Sequence, residues 1–404
     1  MFSNRLFHHP PTFPPFIAYF KQATAPPFLP SLKGALCTNP TCTQFNTIVL
    51  DTDSVSAPIA TVFPRDRKPA VIHEHRLSSG VTLFRLSKCG DVACSTVSHA
   101  DLVSTPSGSG SYAIFAGIDA FSDSRPVISL MNRTPPTPPH VESIVCNDPN
   151  CATAPTIVNL YPFLSTDILG GTTGVKVQRD GNPFVVFAMT DQPSNTGFLR
   201  GVKCDSADCT LNHLVTIDST IMPLGILGSW IKEPKMTLDS NGFPVIVYQK
   251  TTGTLTNPYN NLYIVRCGNL DCSIVTSNSF LFLPVTPMLY SVTVPSDNLP
   301  FLTFTDNTII PPTTLGLKCN DAACTSFTYV YLGVTTLLAD YATSITIAGK
   351  PAITYFANDT NGMPPVFQEL RLVECSDVQC SVLMPTITMD TGVAGFPGSI
   401  AIDS

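Results

Sequence analysis

Charge is what this sequence has least of. Asp, Glu, Lys and Arg make up 13% of its 404 residues, about half of the roughly 25% usual in soluble domains. The 22 lysines and arginines are scattered without a basic cluster and the net charge is −7, which argues against a nucleic-acid partner, since that binding rests on neutralising many phosphates. No stretch reaches eighteen consecutive apolar residues, so no transmembrane helix is expected. Near the start, Pro10, Pro11, Pro14 and Pro15 interrupt the apolar run and leave a poor core for an export signal. The expectation is that such a signal was removed or that the frame begins inside a longer precursor. Long helices are disfavoured too, because 37 prolines would break them.

What is abundant is cysteine, and it is periodic. All 14 cysteines fall into pairs with four residues between: Cys37 and Cys42, Cys89 and Cys94, Cys146 and Cys151, Cys204 and Cys209, Cys267 and Cys272, Cys319 and Cys324, Cys375 and Cys380. Successive pairs start 52, 57, 58, 63, 52 and 56 residues apart, a period typical of propeller blades or solenoid turns. The residues inside the pairs, such as Gly90-Asp91 and Asn320-Asp321, are turn formers suited to a tight hairpin. Cysteines facing one another across such a hairpin stand close enough for a disulfide. The rival is a thiolate metal site, but zinc needs four ligands, and pairs on separate repeats would point apart with no histidines suitably spaced. Disulfides imply an oxidising compartment, so an extracellular or cell-surface protein is expected.

Around each pair four short strands, A to D, can be read. Strand B recurs as Pro69-Ala-Val-Ile-His73, Pro126-Val-Ile-Ser-Leu130, Pro183-Phe-Val-Val-Phe187, Pro244-Val-Ile-Val-Tyr248, Pro300-Phe-Leu-Thr-Phe304 and Pro351-Ala-Ile-Thr-Tyr355. It is apolar on both faces, as in a sheet covered on both sides, and its proline is tolerated because it opens the strand. Seven four-stranded antiparallel sheets predict an all-β, seven-bladed propeller. A β-solenoid is the alternative. The first repeat lacks strand A, whereas 398–403 reads as a strand A with no strand B after it, so the two termini are expected to share one blade and close the ring; an array cut within a repeat at both ends is the other reading. The units run over about 13–51 plus 397–403, 58–103, 112–160, 174–217, 234–282, 289–333 and 343–390, in one domain spanning 1–404.

Short A–B and C–D turns should occupy one face of the propeller, and longer B–C and D–A loops the other. The segments 98–111, 161–174, 218–233, 251–261 and 357–368 are read as long loops and mark that second face for binding. Trp230, Tyr259, Asn260 and Asn261 are candidate ligand contacts there, and the sequons at Asn132 and Asn358 are candidate glycosylation sites if the source is eukaryotic. Asp167, Asp191 and Glu233 are the carboxylates a glycosidase would draw on, but no motif singles them out. His73-Glu74-His75 would place two imidazoles on one strand face, either for a metal or, because His73 stands where other repeats have Tyr or Phe, as a hydrogen-bonded core histidine. No catalytic, metal or cofactor motif is assigned.

The pattern Gly-x-Pro-x-Ile-x-Tyr, then Leu-Arg, then Cys-x4-Cys is clearest at Gly349-Lys-Pro351, Leu370-Arg371 and Cys375 to Cys380. It resembles propeller-like repeats of secreted and cell-surface microbial proteins, mostly without assigned activity, and the resemblance covers essentially the whole chain. It departs at Ser124-Arg125-Pro126, where the glycine is lost. To sialidase-type propellers the likeness is one of outline: the Ser-x-Asp-x-Gly-x-x-Trp box is missing and no arginine trio can be assigned. The expectation is therefore a non-enzymatic extracellular module that binds a protein, a glycan or copies of itself through the long-loop face. A lectin and a glycoside hydrolase are the alternatives.

Overall fold

The computed structural model describes residues 15–21, 31–39, 41–52, 60–77, 79–105, 116–132, 138–164, 167–221, 231–254, 257–281, 287–306, 313–334, 343–358, 368–393 and 399–401. They form seven antiparallel sheets and, among the described residues, no helix. From strand A to strand D, blade 1 is Ser399–Ala401, Phe16–Lys21, Ser31–Cys37 and Phe45–Asp51; blade 2 is Ala60–Val62, Ala70–Arg76, Thr82–Cys89 and Val97–Thr105. Blade 3 is Ala116–Ala120, Pro126–Asn132, His140–Val145 and Thr156–Pro162; blade 4 is Gly174–Val177, Pro183–Asp191, Thr196–Cys204 and Asn212–Ile221. Blade 5 is Ile231–Leu238, Pro244–Thr254, Asn257–Cys267 and Val275–Leu281; blade 6 is Pro287–Thr293, Phe301–Asp306, Thr313–Cys319 and Phe327–Val334. Blade 7 is Thr343–Ile347, Lys350–Asn358, Gln368–Glu374 and Ile387–Val393.

Each strand A touches the strand A of the next blade, and Ser399–Ala401 touches those of blades 7 and 2. The A strands therefore line a closed ring. The ring is sealed as expected, with Phe16, Ile17 and Ala18 pairing with Ala401, Ile400 and Ser399. Strand B is buried along nearly its whole length, as in Ala70–Arg76 and Pro183–Asp191, because neighbouring blades cover both its faces; strand D alternates, as in Thr156–Pro162, because it forms the rim.

The repeat motif has a mechanical explanation. The residue two before the strand-B proline adopts φ > 0 at Arg67, Ser124, Gly181, Gly242, Asn298 and Gly349, a region that costs a side-chain-bearing residue energy and suits glycine. Where blade 3 has lost the glycine, the Ser124 hydroxyl accepts a hydrogen bond from the Asp66 N–H of blade 2 at 2.8 Å. The proline carbonyl then accepts the N–H of the first cysteine, as in Cys37 to Pro15, Cys89 to Pro69, Cys146 to Pro126, Cys319 to Pro300 and Cys375 to Pro351. All seven cysteine pairs are disulfide-bonded, and every second cysteine sits at φ between 52° and 61°. Proline and cysteine thus close the same B–C ladder, and the disulfide holds the turn after it.

Polar residues join blade to blade. Strand D of one blade offers an aspartate to strand B of the next: Asp390 to Tyr19 at 2.8 Å and Lys21 at 2.6 Å, Asp218 to Tyr248 and to Lys250 at 2.8 Å, Asp51 to His75 at 2.9 Å and His73 at 3.6 Å. Burial together with the adjacent aspartate pushes the Tyr19 and Tyr248 hydroxyls well above the usual phenol range. On the disulfide-turn side of blades 2, 4, 5 and 6, the residue before the first cysteine is a buried cation held by an aspartate of the A–B turn: Lys88 with Asp66, Lys203 with Asp180, Arg266 with Asp239 and Lys318 with Asp297. Lys88 also reaches the Pro149 carbonyl of the next blade at 2.7 Å, and Arg266 reaches that of Ala322 at 3.4 Å.

Candidate binding site between blades 3 and 4

Strand A of blade 4 begins earlier than the repeat requires. Ile168–Leu169 already pairs with strand B, through Ile168 with Thr190 and Leu169 with Met189, and the ladder resumes at Gly174 with Val186. The insertion between them turns at Gly170 and Gly171. A Cβ on Gly170 would lie 2.4 Å from the Ile231 carbonyl oxygen, and Gly171 has φ +95°, so both positions call for glycine. Gly170 accepts the Glu233 N–H at 2.7 Å and donates to Ala188 at 3.0 Å. The early strand brings Asp167 opposite Asp191, one residue beyond the Ile168–Thr190 pair, as neighbours on one face of the ladder.

That face looks toward blade 3. On it Phe187 pairs with Arg200 and Met189 with Phe198, and against it packs Tyr161 from strand D of blade 3, 5.3 Å from the Phe187 ring. The Arg200 guanidinium stacks on two rings, 5.0 Å from Tyr161 and 4.5 Å from Phe198, and donates to the Tyr161 hydroxyl at 3.2 Å. Each carboxylate has one oxygen committed, Asp167 Oδ2 to the Leu164 N–H at 2.8 Å and Asp191 Oδ2 to the Ser194 hydroxyl at 2.6 Å. The other oxygen of each, and Nε of Arg200, are shielded from solvent and have no hydrogen-bond partner. Burial raises the Asp167 carboxyl above its ordinary range, the Asp191 charge adds to this, and the Leu164 N–H and Arg200 oppose it. The same face thus presents two unsatisfied acceptors and one unsatisfied donor near aromatic surface.

Of the three carboxylates noted in the sequence, the structure brings Asp167 and Asp191 together and leaves Glu233 out. Glu233 sits at a bulge in strand A of blade 5 with φ 53° and accepts from Gln249 at 2.8 Å, so it belongs to the seam between blades 4 and 5. Trp230 lies outside the described residues. Tyr259 and Asn260 lie on strand C of blade 5 opposite Thr252 and Thr251, and Asn261 is buried opposite Lys250. The expected loop 251–261 is therefore largely strand: strands B and C run on, and Thr251 to Thr254 pair with Asn260 to Asn257. The reading of 98–111 is corrected likewise, since strand D of blade 2 runs on to Thr105. Asn132 closes strand B of blade 3 and donates to Glu142 at 3.3 Å, while Asn358 closes strand B of blade 7; the threonines completing both sequons lie outside the described residues. His73 and His75 both face Asp51, and His73 Nε2 meets the Ser87 hydroxyl at 2.8 Å. Among the described residues no group of three or more His, Cys, Asp or Glu side chains is placed to hold a metal ion, and no helix could cross a membrane.

No protein-family model and no curated protein matches the chain. Solved structures are similar in fold. An ulvan lyase from a polysaccharide lyase family superposes with a TM-score of 0.56 at 10% identity, covering 83% of this chain and 85% of its own, and the figures are the same for that lyase bound to a saccharide of GlcA and Rha3S. A protein of unknown function from Dyadobacter fermentans aligns with a TM-score of 0.49 at 12% identity, over 75% of this chain and 90% of that one. At 10% identity the likeness to the lyase shows a shared propeller fold.

Proposed function

We propose that this protein is an extracellular glycan-binding propeller that recognises sugar hydroxyls through the long-loop face, at the seam between blades 3 and 4. The observation that carries the reading is the trio of shielded, unpaired polar atoms on Asp167, Asp191 and Arg200. Buried polar groups without partners are rare in folded proteins and costly, and a vicinal diol offers what these lack: hydroxyl hydrogens for the two carboxylate oxygens and an oxygen lone pair for Nε. Tyr161 and Phe198 supply the aromatic surface that such sites commonly use. Seven disulfides suit an oxidising exterior, and the fold is shared with a lyase that binds a saccharide.

Hydrolysis is not favoured by this arrangement. Glycosidases place their two carboxyl groups on either side of the scissile bond, whereas Asp167 and Asp191 stand beside one another on a single wall. Titration of Asp167→Asn, Asp191→Asn and Arg200→Gln against a panel of neutral oligosaccharides tests the proposal. Binding by the wild type and at least a tenfold loss in each variant are expected. A wild-type protein that binds no saccharide at millimolar concentration would remove the basis of the reading and favour a protein partner or self-association.

A further inference from the structure

The opposite face carries a second site of different chemistry. The A–B turns of blades 2, 3 and 4, with the end of strand A in blade 5, enclose a cavity of about 620 Å³, within the range of small-molecule sites. Its charged lining is Arg65, Arg125, Lys176 and Arg179 against Asp119 and Asp123. The two carboxylates are already engaged. Asp123 binds Arg125 at 2.7 Å, and Asp119 accepts the Val177 N–H at 2.7 Å with Lys176 at 3.7 Å. Arg65 and Arg179 have no ion-pair partner among the described residues; the Arg179 guanidinium lies 4.9 Å over the Phe243 ring, which fixes its plane. A third group points to the rest of the ligand. Gln178 is 3% exposed and lines the cavity; its amide N–H donates to the Leu270 carbonyl at 2.7 Å, while its Oε1 is buried without a partner.

We infer that this cavity binds a carboxylate-bearing sugar, a uronic acid unit, with its carboxylate between Arg65 and Arg179 and a ring hydroxyl donating to Gln178 Oε1. Two guanidiniums without ion-pair partners lining one cavity favour an anion, and their planar donor pairs match a carboxylate. The unpaired amide oxygen requires a hydrogen-bond donor, which inorganic anions such as sulfate lack. Phe63 and Phe121, nearly buried in the lining, provide an apolar wall for the ring face.

Calorimetric titration with D-glucuronate, D-glucose and inorganic sulfate separates the requirements. The wild type should bind glucuronate saturably, at least tenfold more tightly than glucose or sulfate, and the double variant Arg65→Gln/Arg179→Gln should lose at least tenfold. Both arginines are exposed, so the fold should survive their replacement. The double variant should keep the wild type's affinity for neutral oligosaccharides, which keeps this site distinct from the one on the other face. Equal binding of glucose would overturn the role of the arginines. Sulfate binding as tight as glucuronate would overturn the role of Gln178, and an unchanged double variant would place any uronate elsewhere.

Discussion

Replacing His73 by phenylalanine should make the protein more resistant to acid. His73 is fully buried in strand B of blade 2, and burial lowers its imidazole from the ordinary 6.5 to about 4. The charged and titratable groups facing it are Asp51 from blade 1, His75 on its own strand and Arg85 on strand C, while His99 on strand D meets it through Ser87. Because the folded-state value is depressed, the neutral ring is accommodated at no protonation cost above the unfolded value of about 6.5. As pH falls from there toward 4 the unfolded chain gains the proton first, and stability is lost. At pH 4.5 the linkage is on the order of 2–3 kcal/mol, a large share of the 5–15 kcal/mol of a typical domain. Phenylalanine stands at this position in blades 4 and 6, as Phe187 and Phe304, so the ring should fit. Asp51 keeps His75 at 2.9 Å and Arg85 at 3.2 Å, and Ser87 keeps His99 at 2.9 Å, which limits the cost at neutral pH to about one hydrogen bond, roughly 1 kcal/mol. Urea unfolding of both proteins at pH 7.5 and pH 4.5, with disulfides intact, should show the variant slightly weaker at the first pH and the more stable at the second. Parallel pH profiles for the two proteins would refute the assignment of this proton to His73.

Three further outcomes are expected. Opening one disulfide with Cys146→Ser/Cys151→Ser should cost about 2 kcal/mol by the chain-entropy relation for a six-residue loop, read as a shift in urea midpoint. Tyr248→Phe should cost about 1–3 kcal/mol, since it strips Asp218 of a buried hydroxyl partner and leaves Lys250; a thermal scan that does not move would show the blade 4–blade 5 contact to be inert. Asp167→Asn should raise thermal stability slightly, by up to about 1 kcal/mol through relief of like charges facing across a ladder, while weakening neutral oligosaccharide binding at least tenfold, and a drop in stability instead would make the aspartate a structural residue.

The architecture was legible because its determinants are local and repeated. Cysteine spacing, the proline that opens strand B and the left-handed residue before it all lie within one unit, and each reappears in most of the others. Even contacts between blades leave a trace. Nine residues after the second cysteine stand Asp51, Val103, Leu160, Asp218, Leu281 and Gly333, and the strand-B residues of the following units are His73, Leu130, Phe187, Tyr248, Phe304 and Tyr355. Where the first is Asp the second carries a polar hydrogen. Where the first is Val or Leu the second is apolar, and Leu160 and Phe187 share one core, as do Val103 and Leu130. Asp390 stands ten residues after its cysteine and still reaches Tyr19, because the C–D ladder of blade 7 has two register shifts where the other blades described have one.

The candidate site was not legible for the converse reason: it departs from the repeat. Asp167 and Asp191 are separated by an insertion and a whole strand B, and nothing in their spacing makes them neighbours unless strand A of blade 4 is known to begin at Ile168. The signal available was Gly170-Gly171, the only adjacent glycine pair in the chain, set within a segment read as loop. An early strand that needs two glycines to pass the next blade, and that ends by placing two carboxylates face to face, costs stability twice. Such a feature persists against that cost where something other than folding uses it, which is why the blade whose strand A starts early is where a ligand for the long-loop face should be sought.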